Sequence, residues 1–234
     1  MGGHSQAGFR MSVHDNFIYH ELEYVNEIKS GRAGAVALIV TREDYMIVGL
    51  EVLADRGHLC LKLAEVCRRL GVTSGSFYHF FDSWAAYRSQ LIQYWKEHGT
   101  LAKLTIISAE PDPRRRIEGL VDVAVRLDHS AEGAIRAWSR VDDEVAAVQS
   151  EVDSLRHRVV LDSAREMGVD EPRANRFAAA SLYLLVGYEQ AALAPDIEGL
   201  AGILRDLITL LESDGAERLP GRAISGPHPH IERE

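Results

Sequence analysis

From Thr41 to about residue 213 the apolar residues return every three or four positions, and Gly or Pro interrupts them at short intervals. That period is helical; no segment alternates like a strand, and there is no internal repeat. The chain is thereby confined to an all-α architecture of several helices joined by turns. Hydrophobic residues make up 46% of the 234, enough for a real core, which argues against bulk disorder. No apolar run approaches the length that spans a bilayer. Residues 33–40, the most apolar stretch near the start, are short and follow a polar, acidic segment, unlike a signal peptide. A soluble cytoplasmic protein without a membrane partner is expected.

The punctuation predicts the elements. Thr41 suits a helix N-cap, with Glu43 and Asp44 at the positive end of the dipole. That helix stops at Gly57, and its apolar face is read as Ile47, Leu50 and residues 52–54. A short helix over 62–70 ends at Gly71, another begins at Thr73, and a longer one runs past Tyr94 and Trp95 to about His98. Further helices are expected over 114–127, 131–141, about 144–167, 173–194 and 197–211. Residues 16–29 place Phe17, Ile18, Leu22, Val25 and Ile28 on one helical face. The expected organisation is an extension over 1–40 with one amphipathic helix, a helix-turn-helix domain over 41–90, a helical domain over 91–213, and a flexible tail over 214–234.

Cys60 and Cys67 have neither CxxC spacing nor a paired His pattern and read as buried or semi-buried thiols. The net charge of −9 argues at first against nucleic acid, but it is unevenly spread. Residues 41–99 carry seven basic and seven acidic side chains, whereas residues 100–234 carry 16 and 24. A neutral segment can still meet phosphates if its cations share a face, with a modest electrostatic contribution.

Helix, Gly turn, and a helix with a slim polar start form the arrangement of a helix-turn-helix. Gly71 permits the tight turn between two closely packed helices. Thr73, Ser74, Gly75 and Ser76 are small enough for the first turn to enter a major groove. Tyr78 and His79 bring hydrogen-bonding groups suited to phosphate oxygens or base edges. Lys62, at the start of the preceding helix, joins these as a candidate DNA contact.

With those residues in view, the stretch 46–91 resembles the N-terminal domain of TetR/AcrR-type transcriptional regulators. The string GVTSGSFYHFF at 71–81 is its most specific part. The resemblance implies that Thr73, Ser74, Ser76, Tyr78 and His79 face DNA while Phe77 and Phe81 pack inward. One position departs from the pattern. Where the family commonly has Lys just after the Ser that opens the fourth helix, this chain has Trp84. Either a phosphate clamp is missing, or the helix meets the backbone through its N-terminal amides alone.

In the resembled family the C-terminal part binds a small molecule and forms the dimer. The resemblance thus implies an operator in double-stranded DNA, an effector, repression relieved by that effector, and a homodimer through the last two helices. Two half-sites one helical turn apart, roughly 34 Å, need two reading heads. An effector pocket should be apolar with a few convergent polar groups. Trp95, His98, Arg126, His129, Trp138, His157 and Tyr183 are the candidates, each with a plainer alternative. Trp138 could be a core anchor, His129 a helix-terminal residue, His157 part of a solvated face, and Tyr183 part of a dimer seam. No Gly-rich phosphate loop, HExxH or nucleophile with a recognisable base occurs, so neither enzyme, metal nor cofactor is expected. The competing reading is an all-helical small-molecule-binding protein or enzyme whose helix-turn-helix-like segment is structural.

Overall fold

A computed structural model describes residues 40–213, which are helical with no strand among them. The expected helix over 16–29, the tail over 214–234 and the His228, Pro229 and His230 cluster lie outside the described residues. Contacts divide the chain into two units, Met1–Val40 and Thr41–Glu234.

Helix α1 (Arg42–Arg56) opens on a capping box: the Thr41 hydroxyl accepts from the Asp44 amide, and the Asp44 carboxylate accepts from the Thr41 amide at 2.7 Å. A single 3-10 turn (His58–Cys60) leads to α2 (Leu63–Leu70), and α3 (Ser74–Phe80) follows. Gly71 joins the last two in the left-handed region, at φ 69° and ψ 27°, which a side chain would strain. Thr73 caps α3 through the Ser76 amide, as its position predicts.

Four rings pack the base of this head. Tyr45, Phe77, Phe81 and Tyr87 are all fully buried, with neighbouring centroids 4.9–5.7 Å apart. They also turn α1 away from its expected face. Its buried residues are Tyr45, Met46, Val48, Gly49, Val52 and Leu53, while Ile47, Leu50 and Ala54 are only partly covered. The reason is polar as well as apolar. Tyr87 Oη donates to the Tyr45 carbonyl at 2.8 Å, passing so close to Gly49 that a Cβ there would lie 2.2 Å from the phenol oxygen. The inward register thus combines the ring cluster with one hydroxyl and one glycine.

Helix α4 (Trp84–Tyr94) does not stop near His98. It continues through a π-helical stretch (Trp95–Leu101) into α5 (Ala102–Ser108), with αR backbone across both joins. Gly99 does not break it, because the π stretch absorbs the change of register, as π-bulges do within longer helices. Helices α6 (Pro113–Val125), α7 (His129–Trp138), α8 (Asp143–Glu166), α9 (Glu171–Gln190) and α10 (Ile197–Ser213) complete the body. Asp112, Asp128, Asp142 and Asp170 each cap the helix that follows. Helix α9 ends four residues before the predicted 194, and residues 191–196 connect it to α10.

The body core joins Ile117 and Val121 of α6, Leu161 and Ala164 of α8, Phe177 and Leu185 of α9, and Leu204 and Ile208 of α10. Helix α7 bridges head and body, packing on α1 and the 3-10 turn on one side and on α8 and α9 on the other. No helix among the described residues is long and apolar enough to cross a membrane.

Candidate nucleic-acid interface and interior cavity

The α3 surface follows from its footing. Phe77 points into the ring cluster, so the neighbouring turn positions point outward. Thr73, Ser74, Gly75, Tyr78 and His79 are exposed, Tyr78 by 55%. Ser76 differs from the others. It is half-buried, and its hydroxyl accepts from Tyr45 Oη at 3.0 Å, tying α3 to α1. Lys62 is exposed at the start of α2. Trp84 stacks on Tyr87 with centroids 4.8 Å apart and lies 5.8 Å from Phe77, so this ring extends the aromatic base.

The charge of the head is largely spent internally. Glu65 accepts from Arg68 at 2.8 Å and from Arg69 at 3.0 Å, with Arg56 at 3.8 Å. Hydrogen bonds from Arg68 and then Arg69 hold the Glu65 carboxyl down to about 2. Arg69 also meets Asp55 at 2.7 Å. Fixed α3 side chains, rather than a basic field, dominate this face.

A cavity of about 80 Å³ lies in the body between the π stretch, α6, α8, α9 and α10. Its wall is mostly aliphatic, including Leu104, Ile117, Val121, Leu185, Leu204 and Ile208, with the single ring of Phe177. Thr100, Ser181 and Arg156 supply the polar wall. Arg156 is 11% exposed; Nη1 donates to Glu132 at 2.9 Å and Nη2 to Thr100 Oγ1 at 3.0 Å. Glu132 in turn accepts from Trp95 Nε1 at 2.9 Å. One carboxylate of α7 thereby connects the cavity's arginine with the aromatic end of α4.

A second buried network stands behind it. Arg136 pairs with Asp153 at 2.8 Å and with Glu189, whose side chain is fully buried, at 3.2 Å. His129 Nδ1 lies 4.0 Å from Glu189, and both ring nitrogens lack a hydrogen-bond partner among the described residues. Burial, and then the charge of Glu132, push the Glu189 carboxyl up to about 7. The unfolded chain ionises this group near 4.5, before the folded protein does. Its contribution to stability is therefore full below that value and is lost as pH rises towards about 7. Burial lowers the His129 pKa and works in the opposite sense, so the informative comparison is between proteins. Urea unfolding at about pH 5 and about pH 8 is expected to show that Glu189→Gln gains stability relative to wild type as pH rises. Equal shifts in the two proteins would contradict this.

The residues expected at the pocket are placed around the cavity rather than on its wall. Trp95 stands one contact behind, through Glu132. His98 is exposed and stacks on Tyr94 with centroids 4.0 Å apart. Arg126 is exposed at the end of α6, and His129 sits against Tyr188, centroids 4.8 Å apart. Trp138 anchors the head–body junction, with the Arg88 guanidinium 5.0 Å over its ring and Asp142 bonded to both. His157 lines an open groove on α8, and Tyr183 is 73% exposed on α9. Arg156, Thr100 and Ser181 were not singled out by sequence as pocket residues. A signal existed: Val145, Val148, Val152, Arg156 and Val160 recur at helical spacing, which puts a charge into an otherwise apolar stripe.

No protein-family model matches the chain. It is 29% identical over 104 residues to the HTH-type transcriptional regulator BetI of Rhizobium meliloti (strain 1021), covering 42% of this chain and 49% of that one. The chain thus spans about half the length of this curated relative. A transcriptional regulator from Rhodococcus sp. Rha1 superposes with a TM-score of 0.63 at 20% identity, over 77% of this chain and all of that one. A Saccharomonospora viridis regulator in complex with choline gives 0.62 at 14% identity, over 72% and 95%. A TetR transcriptional regulator from Legionella pneumophila gives 0.62 at 15%, over 73% and 98%. The fold is that of the TetR-type transcriptional regulators.

Proposed function

We propose that this chain is a dimeric, sequence-specific DNA-binding regulator, a repressor released when a small molecule enters the body. The observation that carries the reading is α3. A slim polar first turn and two exposed hydrogen-bonding rings stand on a buried aromatic base. Thr73, Ser74, Gly75, Tyr78 and His79 contact the operator, with Lys62 on a flanking phosphate and Ser76 as a positioning residue. The domain division follows the same lines, with 41–90 as the reading head and 91–213 as the effector-binding and dimerisation body. The reading is of a binding protein rather than a catalyst. The choline complex of the Saccharomonospora protein supports a small-molecule site in this fold.

Selection from random duplex DNA tests the central reading. It is expected to enrich paired, inverted half-sites spaced for two heads, and recovery of no enriched sequence would contradict it.

The second copy docks on α9 and α10. Tyr183, Ile203 and Leu210 are 73%, 52% and 62% exposed, and Gly187 and Gly202 have open space beside them. Small residues among exposed apolar ones let helices of two copies approach closely. Ile203→Glu together with Leu210→Glu is expected to give a folded monomer with weakened operator binding. Sedimentation measures this, and an unchanged dimer would place the interface elsewhere.

A further inference from the structure

The cavity's wall defines a class of ligand, on the reading that the body is the effector domain. A positively charged ligand such as a quaternary ammonium is held by several aromatic faces or by carboxylates. Here the wall has one ring, Phe177, no carboxylate, and a buried guanidinium. The aliphatic wall suits a hydrocarbon body instead, and about 80 Å³ is several times what one water needs, roughly 10–15 Å³ by the same kind of measure.

The polar wall then decides what the ligand's other end must be. The Ser181 hydroxyl donates to the Phe177 carbonyl at 2.9 Å, and the Thr100 hydroxyl accepts from Arg156 at 3.0 Å. Arg156 has five N–H donors, of which Glu132 and Thr100 engage two among the described residues. The remaining donors match the paired oxygens of a carboxylate, the geometry in which guanidinium hydrogen bonds are strongest. We propose that the cavity binds apolar monocarboxylic acids, with the chain among the aliphatic residues of α6, α9 and α10 and the carboxylate on Arg156.

The surrounding charges leave room for that anion. Lys103 feels both Glu132 and Arg156, and burial disfavours its charged form, which a carboxylate nearby would relieve. Farther back, Arg136 meets Asp153 and Glu189, and Glu189 is pushed toward its neutral form. An acid on Arg156 also sets a second negative charge beside Glu132, the residue that holds Trp95 and lies on the helix packed against α1. Occupancy is thereby read out toward the head.

Calorimetric titration of the full chain with sodium hexanoate, hexanol and hexyltrimethylammonium chloride tests the class. Hexanoate is expected to bind about tenfold or more tightly than hexanol, the size of a charge-assisted hydrogen bond, with the cation weakest. Replacing Arg156→Gln together with Glu132→Gln removes both members of the ion pair at once, and should bring the hexanoate-to-hexanol ratio to about one. Hexanol or the cation binding as tightly as hexanoate overturns the proposal while leaving the cavity a small-molecule site. So does a preference that persists in the double variant. Absence of binding by all three overturns both. Hexanoate that binds with the expected preference and leaves operator affinity unchanged supports the ligand class and contradicts the effector reading.

Discussion

Glu132→Ala is expected to cost the protein about 3–5 kcal/mol of folding stability, the range for removing one partner of a buried ion pair. The side chain is 4% exposed and serves two donors, Arg156 and Trp95. Alanine leaves a guanidinium charged at 11% exposure and the indole N–H of a residue 3% exposed without its acceptor. Each lost partner is more costly than the bond itself was favourable, because neither donor regains water. A loss of that size is a large fraction of the roughly 5–15 kcal/mol that holds a typical domain together. Urea unfolding measures it, with Glu132→Gln plus Arg156→Gln as the control. That pair removes both charges together, so it should lose less than Glu132→Ala alone. A loss below about 1 kcal/mol for Glu132→Ala would mean that water reaches Arg156, contrary to the burial described here.

Much of the helix layout was legible because caps and Gly turns act locally. Thr41, Thr73 and Asp142 stand where the sequence places helix starts, and Gly71 takes the left-handed turn expected of it. What was not legible came from contacts distant in sequence. The inward face of α1 depends on Tyr87, which lies 42 residues from the carbonyl it bonds. Gly99 resembles a helix end by composition, yet the π stretch carries the chain through it.

The two candidate sites differ in the same way. Helix α3 is one contiguous segment, and burial of Phe77 orients its neighbours, so its exposed residues could be named from the sequence. Ser76 escaped because Tyr45, 31 residues away, turns its hydroxyl inward. The cavity draws on five separate segments, and no local pattern shows which aromatic or histidine faces it. Selecting large polar-tipped residues therefore found Trp95, which sits behind the wall, and Tyr183, which is exposed on α9. The informative residue, Arg156, stood out by its register instead.

Tyr78→Ala with His79→Ala carries the other large effect. Both side chains are exposed on α3, and neither is packed into the buried ring cluster below Phe77, although Tyr78 touches the Phe77 ring edge-on and His79 touches Phe80. The substitution should leave the fold nearly intact while removing the two largest groups offered to the groove. At about 1–3 kcal/mol for each base or phosphate contact, operator affinity should fall at least tenfold. Because Arg68 and Arg69 are engaged with Glu65 and Asp55, nonspecific attraction that could mask the loss is reduced. The decisive measurement is the operator affinity of wild type and this double variant over a range of salt, with thermal unfolding alongside. Expected are a loss of tenfold or more, a salt dependence close to that of wild type, since no Lys or Arg is removed, and a melting temperature lowered by no more than the loss of the Tyr78–Phe77 ring contact; equal affinity in the two proteins would contradict the DNA-contact role of α3.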